Sequence, residues 1–518
     1  MSPDRLPAQI PSFGPWHHLG LRVYALMSRG HATAALRLSE EVERVARFLG
    51  DDRAVGQVLQ SRMYALVRLE RLPDALAVGD AVLELNRRAG LRVAEAKALA
   101  DTAEILVKLG RLDEGLYRLA AATVLLDAAP AGHPRYGAAL SSVCGAAQGA
   151  QLYELADDAC ARALRASPWQ ANSLTLQRAE LLLEWALGLE HVGQAEEAER
   201  MFARSVELTE RWLAEHSMLA DEGGKAADAP LAAANLAVGL AKVGRHAAAE
   251  KLAVSLIGSG ATDMDSRKAH LAYGLVLRAR GDRAAARREF VAAEELADSD
   301  WERTTYRYEL ALLAVDGDEP AERAVLAALR GQARHLWRQR LERRAMMQQA
   351  RRRVELEAAQ AEAQRVAAQD PLTGLGNRRQ FDRRIAGLDE SYVLVLIDVD
   401  RFKEINDGFS HQVGDRVLCE VAATLLAHCR AEDSAVRLGG DEFAMFLRTD
   451  LPGAARVAAR IREVLAARDW DAFGPGLRVT LSIGLARYAR GMDGAALYDR
   501  ADRQLYTAKR AGRDRVSA

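Results

Sequence analysis

Hydrophobic positions divide this chain into two materials. Over roughly the first two thirds Ala, Leu, Glu and Arg dominate, aromatic residues are sparse and strand patterns are absent. Turn-like signatures interrupt this helical material at Arg29-Gly30-His31, Leu69-Glu70-Arg71, Leu109-Gly110-Arg111, Leu152-Tyr153-Glu154, Val192-Gly193-Gln194, Val243-Gly244-Arg245 and Arg280-Gly281-Asp282, mostly about forty residues apart. Each closes one helix and opens another. Small-residue helix starts such as Asp74-Ala75-Leu76, Glu197-Ala198-Glu199 and Ala247-Ala248-Ala249 let paired helices approach closely. From about Glu319 to Gln369 breakers are few and Arg-rich runs accumulate, which predicts one long helix. Beyond it, Tyr392 to Ile397 is near-continuously apolar, the pattern of a strand buried on both faces. Ala435-Val436 and Phe443 to Leu447 flank two glycines as the strands of a hairpin.

The helical part resembles tetratricopeptide-type hairpins, with a period longer than the ~34 residues of that repeat, so longer helices and irregular loops are expected. A solenoid of this kind buries a core between neighbours and leaves a concave face for a protein, peptide or small ligand. No side-chain constellation in it looks catalytic. Trp169, Trp185 and Trp212 read as packing between helices, with a groove lining as the alternative. Glu222-Gly223-Gly224-Lys225 reads as a loop, because no strand precedes it to make a phosphate cradle. On the long helix, Met347, Ala350, Val354, Ala358 and Ala361 fall at three- and four-residue steps, a coiled-coil seam suited to parallel dimerisation. The alternatives are a single solvated helix or a basic contact with nucleic acid or anionic lipid.

Candidate chemistry lies in the last third. In Gly439-Gly440-Asp441-Glu442 the glycines permit positive φ and close approach of a ligand, and two carboxylates follow at the hairpin tip. Asp398-Val399-Asp400 closes the apolar strand. Carboxylates so placed are oxygen ligands for Mg²⁺, which takes few protein carboxylates beside waters and substrate phosphates. Two such ions clamp a transferring phosphoryl group. Taken alone, the hairpin also reads as a plain Gly-Gly-Asp turn with solvated acids. Lys509 and Arg513, four apart, share a face if that segment is helical and can neutralise phosphates, or else form an ordinary basic helix face.

Three longer blocks carry a resemblance: Asp370-Pro371-Leu372-Thr373-Gly374-Leu375-Gly376-Asn377-Arg378-Arg379, Asp398 through Asp407, and Arg437 through Phe443. With His411 to Asp415, Val479 to Gly484 and Ala508 to Arg513 in the same order, the last third resembles a GGDEF diguanylate cyclase domain. Ser410 and Asp514 depart from it, standing where the family often has Gly and Asn. The resemblance implies a ferredoxin-like, palm-type α/β domain that binds one GTP, pairs face to face with a second copy and makes cyclic di-GMP. Asp398, the Val399 carbonyl, Asp441 and Glu442 would hold Mg²⁺, with Mn²⁺ as an alternative, and Asp441 would favour loss of the 3′-hydroxyl proton. GTP would be bound by Phe402, Lys403, Asn406, His411, Asp415, Gly439, Gly440, Lys509 and Arg513, with Asn406 and Asp415 on the guanine edge. Arg430 and Asp433, with five residues between Asp433 and Gly439, match the inhibitory product site, and Arg460 would contact the same ligand; an exposed ion pair is the bland alternative.

Composition agrees with a cytoplasmic multi-domain protein. The formal net charge of -1 argues against a nucleic-acid-binding surface overall. Met1 to Trp16 is broken by Pro3, Pro7, Pro11 and Pro15 and has no apolar core of a secretory signal, and no stretch reads as a membrane span. Cys144, Cys160, Cys419 and Cys429 form no CxxC pair, so neither zinc nor a disulfide framework is expected. The expected organisation is a flexible N-terminus over 1–15, an all-α tetratricopeptide-like repeat domain over 16–318, a connecting helix with its coiled-coil seam over 319–369, and the GGDEF domain over 370–518. The expected function is a diguanylate cyclase acting on GTP as a homodimer, regulated by an unknown partner of the repeats and by its product. Two other readings stay open: a silent GGDEF receptor that holds GTP or cyclic di-GMP, and a protein-interaction scaffold built on the repeats.

Overall fold

Helices of 17 residues, joined by short turns, set the repeat length in the first part of the chain. The computed structural model describes residues 17–28, 30–167, 171–217, 229–258, 263–297, 300–315 and 320–518. Trp169, Glu222 to Lys225 and the first sixteen residues lie outside these. Two units are formed, Met1–Leu356 and Glu357–Ala518, and their boundary falls inside the long helix Pro320–Ala367.

In the helical unit, turns close on a residue with positive φ: Gly30 (84°), Gly50 (66°), Glu70 (57°), Gly90 (65°) and Gly110 (75°). The residue after each donates its N–H five positions back, as in His31 to Leu26 O (3.0 Å), Asp51 to Ala46 O (3.2 Å) and Arg111 to Leu106 O (2.9 Å), which satisfies a carbonyl left over at the helix end. The turns at Gly50 and Gly90 complete the series, so one hairpin of two 17-residue helices accounts for the period of about forty. Near residue 152 the turn is Gln151 (φ 58°), and Tyr153 and Glu154 already begin the next helix. Ala75, Ala198 and Ala249 are buried as their helix-start positions require. Trp212 is buried against Leu176 and Ala232, so it packs between helices; Trp185 stacks on Tyr153 at 6.1 Å.

The seam expected on the long helix is corrected in one respect. Met347 is buried in the core of the helical unit, and Ala350 and Val354 pack against that same core. Arg340 pairs with Glu154, and Arg351 with Asp127 at 2.7 Å. These positions are therefore consumed within the chain, because the hairpins up to Leu181 leave an apolar face that this helix covers. Only the later positions, Ala358 and Ala361, stay exposed.

The C-terminal unit is built on a five-stranded mixed sheet in the order β2-β3-β1-β4-β5, with β1 Tyr392–Val399, β2 Ser434–Gly439, β3 Glu442–Arg448, β4 Leu481–Arg487 and β5 Arg515–Ser517. Central β1 runs antiparallel to β3 and β4, and β5 joins β4 in parallel. Both faces of β1 are covered: Val393, Val395 and Ile397 enter one core, and Leu394 and Leu396 another with Phe446, Leu497, Ala501 and Leu505. That explains why its sequence is apolar throughout rather than alternating. Helix Gly494–Arg510 lies flush on β4 because Gly484 has no side chain: a Cβ there would meet Leu505 N at 2.2 Å and Ala501 O at 2.4 Å. Neither backbone atom can step aside. Gly484→Ala is expected to cost roughly 3 kcal/mol in the C-terminal unfolding transition, the upper range for overpacking; a melting temperature unchanged by this variant would contradict the close packing.

Candidate active site

Alternation along β1 decides which acid meets the helix. Asp398 follows Leu394 and Leu396 on the face covered by helix Gly494–Arg510, and Lys509 of that helix donates to Asp398 Oδ2 at 2.5 Å. In register, Asp398 stands opposite Glu442 on β3 and Ser482 on β4. Asp441 sits beside them, its carbonyl accepting from Val399 N at 3.2 Å. Burial raises the Asp398 carboxyl to about 6; Lys509 opposes this, whereas the charges of Asp441 and Asp400 add to it. The excess negative charge is what a cation would relieve.

The β2–β3 turn has the geometry its glycines predict, with Gly439 at φ 149° and Gly440 at φ 55°. Arg437 braces it by donating from Nε and Nη2 to Gly440 O at 3.0 and 2.7 Å. Its Nη1 also pairs with Asp370 at 3.1 Å, and Asp370 Oδ1 accepts from Thr373 N and Oγ1. The turn is thus tied to the first residues after the long helix. Asn377 strengthens that junction: Oδ1 caps helix Arg378–Ile385, and Nδ2 donates to Ala367 O and Gln369 O at 2.7 and 3.2 Å.

A second cluster forms where helix Phe402–Gly408 meets helix His411–Ala427. A Cβ on Gly414 would stand 2.0 Å from Asn406 Oδ1 and 3.2 Å from Phe402 Cζ, so Asn406, Phe402 and the segment bearing Asp415 are brought together. Lys403, His411 and Asp415 are exposed. Ser410 caps the second helix through Val413 N (3.3 Å) with φ 146°, a conformation that favours the Gly it replaces.

Arg513 corrects the sequence expectation. The helix ends at Arg510, and Arg513 lies in the following turn at φ 61°, so Lys509 and Arg513 share no helical face. The chain must reverse there to lay β5 beside β4. Asp514, also left-handed at φ 46°, accepts from Arg462 at 3.1 Å and donates its N–H to Asp400 Oδ2 at 3.0 Å.

Arg437 and Asp370 carry parts that sequence reasoning left without a role, and Asp400, read there as a strand-end carboxylate beside Asp398, has a structural one. Asp400 is buried and accepts from Ser482 Oγ (2.6 Å) and Thr480 Oγ1 (2.8 Å), joining the ends of β1, β4 and the last turn. The Asp-Val-Asp alternation was the available signal; its partners lie some eighty residues further on.

Arg430 and Asp433 do not form a side-chain ion pair with each other. Asp433 accepts from the backbone N–H of Arg430 (2.9 Å) and Arg448 (2.8 Å), fixing the loop before β2, while Arg430 is exposed. Arg460 is exposed on helix Leu451–Ala466. All four cysteines are free, and no helix among the described residues is long and apolar enough to cross a membrane.

Residues 367–515 match the family model described as "Diguanylate cyclase, GGDEF domain". Over 160 residues the chain is 39% identical to Diguanylate cyclase DgcP of Pseudomonas aeruginosa, a match of 29% of this chain and 24% of that protein. It is 41% identical over 162 residues to Response regulator PleD of Caulobacter vibrioides, covering 29% and 36% of the two chains. The chain thus spans well under half of these relatives' length. Among solved structures, the GGDEF domain of DgcB from Caulobacter crescentus in complex with c-di-GMP is 34% identical, with a TM-score of 0.28, covering 29% of this chain and 95% of that one. The C-terminal unit carries a GGDEF domain.

Proposed function

We propose that this chain is a diguanylate cyclase: two GTP molecules, one on each of two GGDEF domains, are joined into cyclic di-GMP with release of two pyrophosphates. The observation that carries this reading is the convergence of Asp398, Asp441 and Glu442 at one end of the sheet with Lys509 in direct contact. The relatives' names support the same chemistry.

A divalent ion fits this donor set. Carboxylates and the Val399 carbonyl are hard oxygen ligands, and among the described residues no three acidic, His or Cys side chains close into a cage. Mg²⁺ suits such an open site because it takes only one or two carboxylates and completes its shell with phosphates and water. Asp398, Asp441, Glu442 and the Val399 carbonyl would hold it, and it would supply positive charge to the reacting phosphate when bound.

The remaining work falls to the chain itself. Lys509 neutralises Asp398 in the free enzyme and turns to the β and γ phosphates when nucleotide arrives; Arg513 adds a second charge. Gly439 and Gly440 let the phosphates lie against the backbone, in a turn that Arg437 keeps open. Asp441 favours loss of the proton from the attacking 3′-hydroxyl. Asp415 accepts from the guanine edge and Asn406 both donates to it and accepts from it, beside Phe402. Lys403 and His411 border that cluster, His411 opening the helix that carries Asp415.

The test is incubation of the full-length protein with GTP and Mg²⁺, following cyclic di-GMP by chromatography. Product formation supports the cyclase; GTP binding without product supports the receptor reading instead. Feedback belongs to the same proposal. Arg430, with its exposed guanidinium, would grip a product phosphate, Asp433 holds the loop that presents it, and Arg460 would reach the ligand from the second domain. Arg430→Ala should weaken product inhibition by about tenfold or more, the loss of one charge-assisted contact. Undiminished inhibition by added cyclic di-GMP would remove Arg430 from that role.

A further inference from the structure

The turn that follows the last helix holds three residues in a row at positive φ, and two of them are not glycine. Gly512 is at 116°, Arg513 at 61° and Asp514 at 46°. Left-handed backbone costs a residue with a Cβ free energy that glycine is spared, because the Cβ crowds the following carbonyl oxygen. Asp bears this better than most residues and Arg does not, so the strain centres on Arg513. Such strain persists only where surrounding contacts over-determine it, and it gathers at ligand clamps.

Three contacts hold the turn. Arg513 N donates to Ala508 O at 3.1 Å, closing the helix end. Asp514 N donates to Asp400 Oδ2 at 3.0 Å, and Asp400 is buried and fixed in turn by Thr480 and Ser482. From the other side Arg462, on helix Leu451–Ala466, donates through Nη1 to Asp514 Oδ1 at 3.1 Å and to Asp514 O at 3.3 Å. As an ion pair this last brace needs the acid at 514, where GGDEF domains often have Asn, which carries no charge. The residue so held gains nothing within the chain: Arg513 is exposed, and among the described residues its guanidinium meets no carboxylate. Reversal into β5 asks for no charged side chain at the centre of the turn.

We infer that Arg462 is a positioning residue for nucleotide binding: through Asp514 it fixes the turn 512–514 so that the Arg513 guanidinium is presented to the terminal phosphates that Lys509 also neutralises. Arg462 acts through Arg513 rather than on the nucleotide. This role rests on the phosphate contact of Arg513 in the cyclase reading, and the experiment separates the two.

Isothermal titration calorimetry of the full-length protein with Mg²⁺ uses two probes: 3′-deoxy-GTP, which lacks the attacking hydroxyl and is not consumed, and GMP, which lacks the β and γ phosphates. Arg513→Ala should weaken 3′-deoxy-GTP about tenfold, the loss of one charge-assisted contact, and leave GMP unchanged. Arg462→Gln should lose at least about threefold of that affinity, again sparing GMP, with the melting temperature unmoved because a part-exposed ion pair adds little to folding. Asp514→Gly, which removes the pair from its other end and accepts positive φ, should match it. Placed on Arg513→Ala, Arg462→Gln should add no further loss, since both act on one contact. Equal weakening of the two nucleotides, a full second loss in the double variant, or binding untouched by Arg462→Gln while Arg513→Ala weakens it would overturn the positioning role. The double variant needs 3′-deoxy-GTP alone, so it decides even where GMP binds too weakly to measure. Binding of 3′-deoxy-GTP untouched by Arg513→Ala would instead overturn the phosphate contact, and the role of Arg462 with it.

Discussion

Asp441→Asn should reduce cyclic di-GMP formation by about 10³-fold or more while leaving the fold intact. The size follows from removing a charge that both ligates the metal and stabilises the transition state in a partly closed site. Structure is spared because the main chain, not the side chain, holds this residue: its carbonyl accepts from Val399 N, and Arg437 secures the neighbouring Gly440. With the Asp441 charge gone, Asp398 loses one of the causes that raise it. Melting temperature and GTP binding are measured beside turnover. Activity within a few-fold of the parent protein would refute the metal assignment, and a lowered melting temperature would show that the variant reports on folding instead.

Lys242→Met should cost the helical unit about 3–5 kcal/mol, the range for breaking a buried ion pair from one side. Lys242 donates to Glu309 at 2.7 Å and to Glu190, and Glu309 is fully buried and also meets Arg278. Burial disfavours the Lys242 charge, yet Glu309 and Glu190 together outweigh it and raise the group; Glu309 is lowered because Lys242 and Arg278 outweigh its burial. Removing the ammonium leaves a buried carboxylate short of one partner. Thermal unfolding by circular dichroism measures the loss, and the double variant Lys242→Met with Glu309→Met should recover part of it, since the stranded charge is then removed too. A single variant costing under about 1 kcal/mol would mean that Glu309 is satisfied without Lys242.

Much of the active site was legible because its residues come in consecutive blocks. Gly439 to Glu442 imply a tight turn with two acids whatever surrounds them, and the unbroken apolar run before Asp398 implies a strand covered on both faces. Helical periodicity and glycine punctuation likewise fixed the hairpins of the first unit. The turn at Gln151 was harder, and fell just before the signature at Leu152, since a non-glycine residue in the left-handed region leaves no compositional mark.

Local pattern determined the elements, their order and the acids at their ends; contacts between distant residues were decided only in the folded chain. Lys509 reaches Asp398 across 111 residues because alternation along β1 and the flush packing at Gly484 bring that helix over that face. Asp400 finds Thr480 and Ser482, and Arg437 finds Asp370, for the same reason. The spacing that put Met347 and Val354 on one stripe was correct, but a stripe only says that something apolar must cover it. Which surface does so is settled by packing, and here it is the helical unit itself.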